Sequence, residues 1–166
     1  VAENGGVVEY KGRMHILCKA REGRKVVQRL KEKYGDKIME SWSNRYRFVD
    51  MAILRTIGYG EVVNVVKSFK DMKVMDSGFA YHIMDEAVNK GVGVTKALAL
   101  LGVGKGEAAG VGDSITDLEL LQACGYRAIV ANGDDRLRGA VDYIAKEKFG
   151  SGFAEIAERI LSMGKA

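Results

Sequence analysis

The apolar positions change their rhythm partway along the chain, and that change predicts its organisation. From Gly6 to Ala20 apolar and polar residues alternate on either side of Tyr10-Lys11-Gly12-Arg13, which predicts a hairpin whose second strand carries Met14, Ile16 and Leu17. From Gly23 to Tyr34 the spacing lengthens to that of a helix, with Val26, Val27, Leu30 and Tyr34 making one apolar face among Arg and Lys. Strand-like runs follow at Tyr46–Leu54 and Lys73–Met75, separated by a helical pattern over Gly60–Phe69 that carries Val62, Val63, Val66 and Phe69. The turn residues Asp76-Ser77-Gly78 then lead into a strand over Phe79–Met84. Beyond it helices and strands take turns. Helices are predicted over Thr95–Leu101, Thr116–Cys124, Arg136–Val141 and Gly152–Leu161, and strands over Ala108–Gly112, Arg127–Ala131 and Tyr143–Ala145. That alternation is the signature of a parallel sheet wrapped by helices. The boundary is placed near Met84, giving an α/β unit over 1–84 and a second α/β unit over 85–166.

Composition narrows the class. The chain has 166 residues, enough for one ordinary domain or two small ones, and 47% apolar with 29% charged residues is the balance of a folded chain rather than a disordered one. No apolar run approaches the roughly 18 residues of a membrane span, and no basic stretch precedes an apolar one at the N-terminus, so the expectation is a cytoplasmic protein with no membrane partner. Cys18 and Cys124 stand alone, without the spacing of a zinc site or a disulfide framework. The net charge of +4 is scattered along the chain rather than gathered in a stripe, so no nucleic-acid partner is expected. Gly102-Val103-Gly104-Lys105-Gly106 has no Ser or Thr after its Lys and is read as a connection, not a nucleotide-binding loop.

The chemistry concentrates in Gly112-Asp113-Ser114-Ile115-Thr116-Asp117. One carboxylate stands at the C-terminal end of an apolar strand and another in the first turn of the next helix, where open α/β sheets bind ligands. Two carboxylates with small neighbours suit Mg²⁺, which takes one or two protein carboxylates and leaves its other positions to water and phosphate. The same residues are also a capping box, with Ser114 as N-cap and Asp117 reaching back to the backbone. The two readings compete for Asp117. Lys90, taken alone, reads as a solvated surface lysine, and Asn132-Gly133 as a plain turn.

Together these stretches resemble phosphatases of the haloacid dehalogenase superfamily. Gly112-Asp113-Ser114-x-x-Asp117 is similar to that family's fourth motif, whose two Asp residues help to hold magnesium, and Asn89-Lys90-Gly91 to its third, whose Lys contacts phosphate. Ala2-Glu3-Asn4-Gly5-Gly6, Ser43-Asn44-Arg45-Tyr46-Arg47 and Tyr81-His82-Ile83-Met84 extend the resemblance towards the archaeal phosphoglycolate phosphatases. The resemblance implies an α/β fold, a partial Rossmann-like core over 85–166 with an α/β cap over 1–84, residues 1–6 leading in from the core. It also implies Mg²⁺ held by Asp113 and Asp117, phosphate contacts from Lys90 and Asn132, and a small phosphorylated acid such as 2-phosphoglycolate as substrate. Sugar-phosphate and mannosyl-3-phosphoglycerate phosphatases share these motifs and stand as alternatives.

In such phosphatases an Asp-x-Asp on the first core strand supplies the nucleophile and the general acid–base. No such motif occurs between Val1 and Ala166. The expectation is therefore a truncated product of weak or no activity, with its sheet edge open beside Ala108–Gly112 and room for a homo-oligomer. A non-catalytic remnant is the alternative from another class. Arg45 and Arg47, at alternate positions of the expected strand, are candidates for gripping a substrate carboxylate, against a plain reading as a charged outer face. His15 and His82 are assigned no role.

Overall fold

The computed structural model describes residues 1–18 and 22–164, which fall into two compact units, Val1–Val88 and Asn89–Ala166. Ala20, the end of the predicted hairpin, lies outside the described residues. Among the described residues no helix is long and apolar enough to cross a membrane.

The first unit opens with the hairpin β1 (Val7–Tyr10) and β2 (Arg13–Ile16), paired Val7 with Ile16 and Tyr10 with Arg13. Lys11 and Gly12 between them both have positive φ, 50° and 77°, the turn geometry that matches strand twist and favours glycine. The helix α1 (Glu22–Tyr34) follows, then β3 (Met51–Leu54), α2 (Tyr59–Val66), β4 (Met72–Asp76) and β5 (Ala80–Asp85). The three later strands form an antiparallel sheet in the order β3-β5-β4. Alternation along β5 sorts its side chains. Tyr81 and Ile83 join Val26, Leu30, Ile53 and Val62 in a core beneath α1 and α2, whereas Met84 packs with Val7, Val49 and Val88.

The predicted strand Tyr46–Leu54 is only half right, because Trp42–Tyr46 closes into a 3-10 turn and β3 begins at Met51. The buried Asn44 is the cause. Its Nδ2 donates to the Ala52 carbonyl at 2.9 Å and its Oδ1 accepts from the Ala52 amide at 2.9 Å, so a side chain occupies the position along β3 that a neighbouring strand would fill.

The second unit holds a parallel sheet of β6 (Ala109–Gly112), β7 (Tyr126–Ile129) and β8 (Tyr143–Ile144), in that order. Around it lie α3 (Lys90–Leu101), α4 (Leu118–Gln122) and α5 (Phe149–Met163). Ala128, Val130 and Ala145 pack with Ile156 of α5, and Leu121 of α4 packs with Ile129 and Leu137, so the apolar run of β7 is covered on both faces. Three predicted helices differ. α3 starts at Lys90, five residues before Thr95, because Asn89 caps it: Asn89 Oδ1 accepts from the Val92 amide at 2.9 Å. The expected helix over Thr116–Cys124 is a 3-10 turn, Ile115–Asp117, continued by the short α4, and Arg136–Val141 is a 3-10 segment over Asp135–Ala140.

Candidate functional site

β6 delivers the chain to Asp113 at its C-terminal end, and the backbone then turns sharply. The Asp113 and Ser114 amides both donate to Asp117 Oδ2, each at 3.1 Å, and the Ser114 hydroxyl accepts from the Thr116 amide at 3.4 Å. Both halves of the capping box are therefore formed. Gly112 permits the turn: a Cβ there would stand 2.6 Å from Asp117 Cβ.

The other oxygen of Asp117 faces α3. Lys90 Nζ donates to Asp117 Oδ1 in an ion pair that links the first residue of α3 to the loop after β6. Asp117 is 6% exposed, so its charge is screened from water and held by three donors. Burial by itself would raise its pKa. The Lys90 ammonium and the two amides outweigh burial and lower it below the ordinary aspartate value.

Asp113 is the exposed member. Its carboxylate makes no hydrogen bond or ion pair among the described residues, while its carbonyl accepts from the Asp134 amide at 2.9 Å, bringing the loop after β7 alongside. Asn132 lies in that loop, but its Oδ1 accepts from the Phe149 amide at 2.7 Å and so serves the start of α5; only its amide nitrogen is left for a ligand. Lys90, Asp113 and Asp117 are thus joined directly, and Asn132 neighbours them through the backbone.

Among the described residues no three His, Cys, Asp or Glu side chains gather as a metal cage. Magnesium needs no such cage, since one or two carboxylates suffice when water and phosphate fill the rest. Asp113 fits a direct ligand. Asp117 fits a supporting one, because both its oxygens already accept hydrogen bonds.

Two sequence expectations for the first unit change. Arg45 and Arg47 do not alternate along a strand: Arg45 lies over the Trp42 and Tyr46 rings, 5.8 and 5.5 Å from their centroids, and Arg47 pairs with Asp50 at 2.7 Å. Neither residue lies in a strand, so the strand alternation expected to set them on one face does not arise. His82, given no role from sequence, has an acidic partner after all: its Nδ1 lies 2.8 Å from Asp50 Oδ2. The pairing of β3 with β5 sets Ala52 opposite His82, so Asp50, two residues earlier, is a diagonal neighbour. The signal was present in the sequence but needed the strand register.

Residues 61–156 match the haloacid dehalogenase-like hydrolase family. Phosphoglycolate phosphatase 1 of Saccharolobus solfataricus is 36% identical over 161 residues, covering 97% of this chain and 68% of that protein. A phosphoglycolate phosphatase of Methanothrix thermoacetophila is 31% identical, covering 99% of this chain and 73% of that protein. Among solved structures, a Thermoplasma acidophilum protein superposes with a TM-score of 0.81 at 21% identity, covering 95% of this chain and 69% of that one. A Thermotoga maritima protein gives a TM-score of 0.72 at 15% identity, covering 94% and 73%. At those identities the structures speak for the fold alone.

Proposed function

This chain belongs to the haloacid dehalogenase-like hydrolases and is a phosphatase of that family, and we propose that the reaction its residues serve is the magnesium-dependent hydrolysis of 2-phosphoglycolate to glycolate and phosphate. The fold is the family's α/β core with an α/β cap, and residues 1–84 are assigned to the cap and 85–166 to the core. The observation that supports the reading most is the Lys90–Asp117 pair at the C-terminal end of β6, next to the open carboxylate of Asp113.

Each residue then has a distinct task. Asp113 holds magnesium. Magnesium, when bound, neutralises charge on the phosphoryl oxygens and orients them. Asp117 fixes Lys90 and the loop amides, so that the remaining N–H bonds of the Lys90 ammonium are aimed at phosphate without reorganisation. Asn132 donates from its amide nitrogen. The chemical step needs one aspartate to attack phosphorus and form an aspartyl-phosphate, and a second carboxylic acid to protonate the departing glycolate oxygen. None of these four residues fills either role, and the proposal assigns them to a segment outside residues 1–166. The choice of 2-phosphoglycolate rests on the names of the relatives, at 30–36% identity.

The test is phosphate release from 2-phosphoglycolate, with and without magnesium, by this chain and by a form extended upstream through an Asp-x-Asp strand. A panel containing sugar phosphates and mannosyl-3-phosphoglycerate runs in parallel. Magnesium-dependent turnover by the extended form, preferring 2-phosphoglycolate and lost in Asp113→Ala, supports the reading. Preference for another ester overturns the substrate, and a folded but inactive extended form overturns the phosphatase assignment in favour of a non-catalytic remnant.

A further inference from the structure

The first unit carries a second constellation, built from residues other than those assigned to phosphate chemistry. Asp50 is 0% exposed. Its Oδ2 accepts from Asn4 Nδ2 at 2.9 Å and from Arg47 at 2.7 Å, and His82 Nδ1 lies 2.8 Å from Oδ2 and 3.0 Å from Oδ1. A carboxylate only accepts hydrogen bonds, so Nδ1 carries a proton and Nε2 is the ring nitrogen left to face Ser77. Nε2 lies 3.2 Å from Ser77 Oγ, whose hydroxyl also has the Ala80 carbonyl as an acceptor at 3.1 Å. Ser77 is exposed on the turn between β4 and β5, and Phe79 beside it is 88% exposed.

From this geometry we propose that Ser77 is an activated nucleophile, with His82 as its general base and Asp50 as the group that orients the base, reactive towards activated esters of small acids. The order of contacts is the one such chemistry requires: nucleophile to base, base to a buried carboxylate. Arg47 and Asn4 hold the carboxylate still, which fixes the plane of the imidazole. The Ala80 amide donates to Ser77 Oγ itself and the Gly78 amide to Asp76 Oδ1, so neither serves as an oxyanion donor. The class of substrate is limited accordingly to esters whose leaving group departs readily, and amides are excluded. The turn is open, with the ring of Phe79 as its apolar surface, which suits a small acyl group on an aryl alcohol.

The step balances as follows. The Ser77 oxygen bonds to the acyl carbon as the carbon–aryloxy bond breaks, the serine proton passes to His82 Nε2, and that proton leaves with the aryl alcohol. Water, activated in the same way, then attacks acyl-Ser77 and releases the acid.

The experiment exposes the 166-residue chain to p-nitrophenyl acetate and follows acetylation of each serine by peptide mass. Acetyl-Ser77 is expected to form, to be absent in Ser77→Ala, and to form about 100-fold more slowly in His82→Gln, the lower range of general-base catalysis. Ser68, whose hydroxyl donates to the Val65 carbonyl, is the internal control. His82→Gln keeps a side chain able to bond Asp50, so it tests the chemistry even if Asp50→Asn fails to fold. Acetylation of Ser77 no faster than of Ser68, or an unchanged rate in folded His82→Gln, overturns the proposal.

Discussion

Gly91→Ala is the sharpest test of how the second unit is assembled. On an open helix face this substitution stabilises by about 1 kcal/mol, because alanine loses less backbone entropy on becoming helical. At position 91 the added Cβ would stand 2.3 Å from the Glu119 carbonyl oxygen and 2.7 Å from its carbon. Ordinary contact begins at 3.4 Å, so α3 and α4 must separate by about 1.1 Å (3.4 minus 2.3). The obstacle is backbone, which has no rotamer to escape into. Overpacking of this kind costs about 1–3 kcal/mol or more. Subtracting the helix gain from the upper end leaves a net loss of about 2 kcal/mol. Gly60→Ala in α2, with nothing within 4 Å of the added atom, is the comparison and is expected to stabilise. Urea titration of both variants measures the difference as a change of midpoint at constant slope. A Gly91→Ala midpoint equal to or above that of the unsubstituted chain would refute the close approach of α3 to α4. Because Lys90 is the adjacent residue, the same displacement draws its ammonium from Asp117, and turnover by the extended enzyme is expected to fall more than stability does.

Three further outcomes follow from single contacts. Asp117 has a lowered pKa in the folded state, so its stabilisation is complete above the unfolded value of about 3.9 and is lost as pH falls through the lower folded value; the urea midpoint of the unsubstituted chain should fall more steeply below pH 4 than that of Asp117→Asn. At neutral pH Asp117→Asn should cost about 2–3 kcal/mol, discounted from a fully buried pair because Lys90 is one-third exposed. Asn44→Ala leaves the buried amide of Ala52 without a partner, while its carbonyl keeps the Ser41 amide at 2.9 Å, and should cost about 1–3 kcal/mol in chemical denaturation; a loss under about 0.5 kcal/mol would mean that another group replaces Asn44. Asn132→Ala removes the acceptor of the Phe149 amide and should cost about 0.5–2 kcal/mol, with hydrogen exchange quickened in the first turn of α5 and not in α3.

Much of the fold was legible because apolar spacing carries it. Val26, Val27 and Leu30 announced α1, and the alternation of short strands and helices after Met84 announced the parallel sheet. The errors share a physical origin. The sequence expectation begins this helix at Thr95, whereas Asn89 caps α3 five residues earlier and Gly91, a poor helix former, sits in its first turn where it packs on α4. Tyr46 lies in a 3-10 turn and not in the expected strand, and nothing local in the sequence reveals that the Asn44 side chain bonds along β3. In the candidate site, Asp113 and Asp117 could be found from their spacing, and the competition for Asp117 was visible. Its outcome was not: Lys90 takes one oxygen from 27 positions away while the capping box takes the other. Long-range partners of single polar residues leave no periodic trace, and His82 with Asp50 is the same case at a separation of 32.

Glu3 places the segment Phe48–Asp50 under long-distance control. Its carboxylate accepts from the amides of Phe48, Val49 and Asp50, at 2.7 to 3.0 Å, across 45 to 47 positions of sequence. These amides belong to no strand or helix. Their order must therefore wait until a long loop has closed, and loop closure is an entropic cost met before any contact rewards it. In folding, the stretch that carries Asp50 is expected to order late. In the folded protein, displacement of Glu3 is the event that would loosen it.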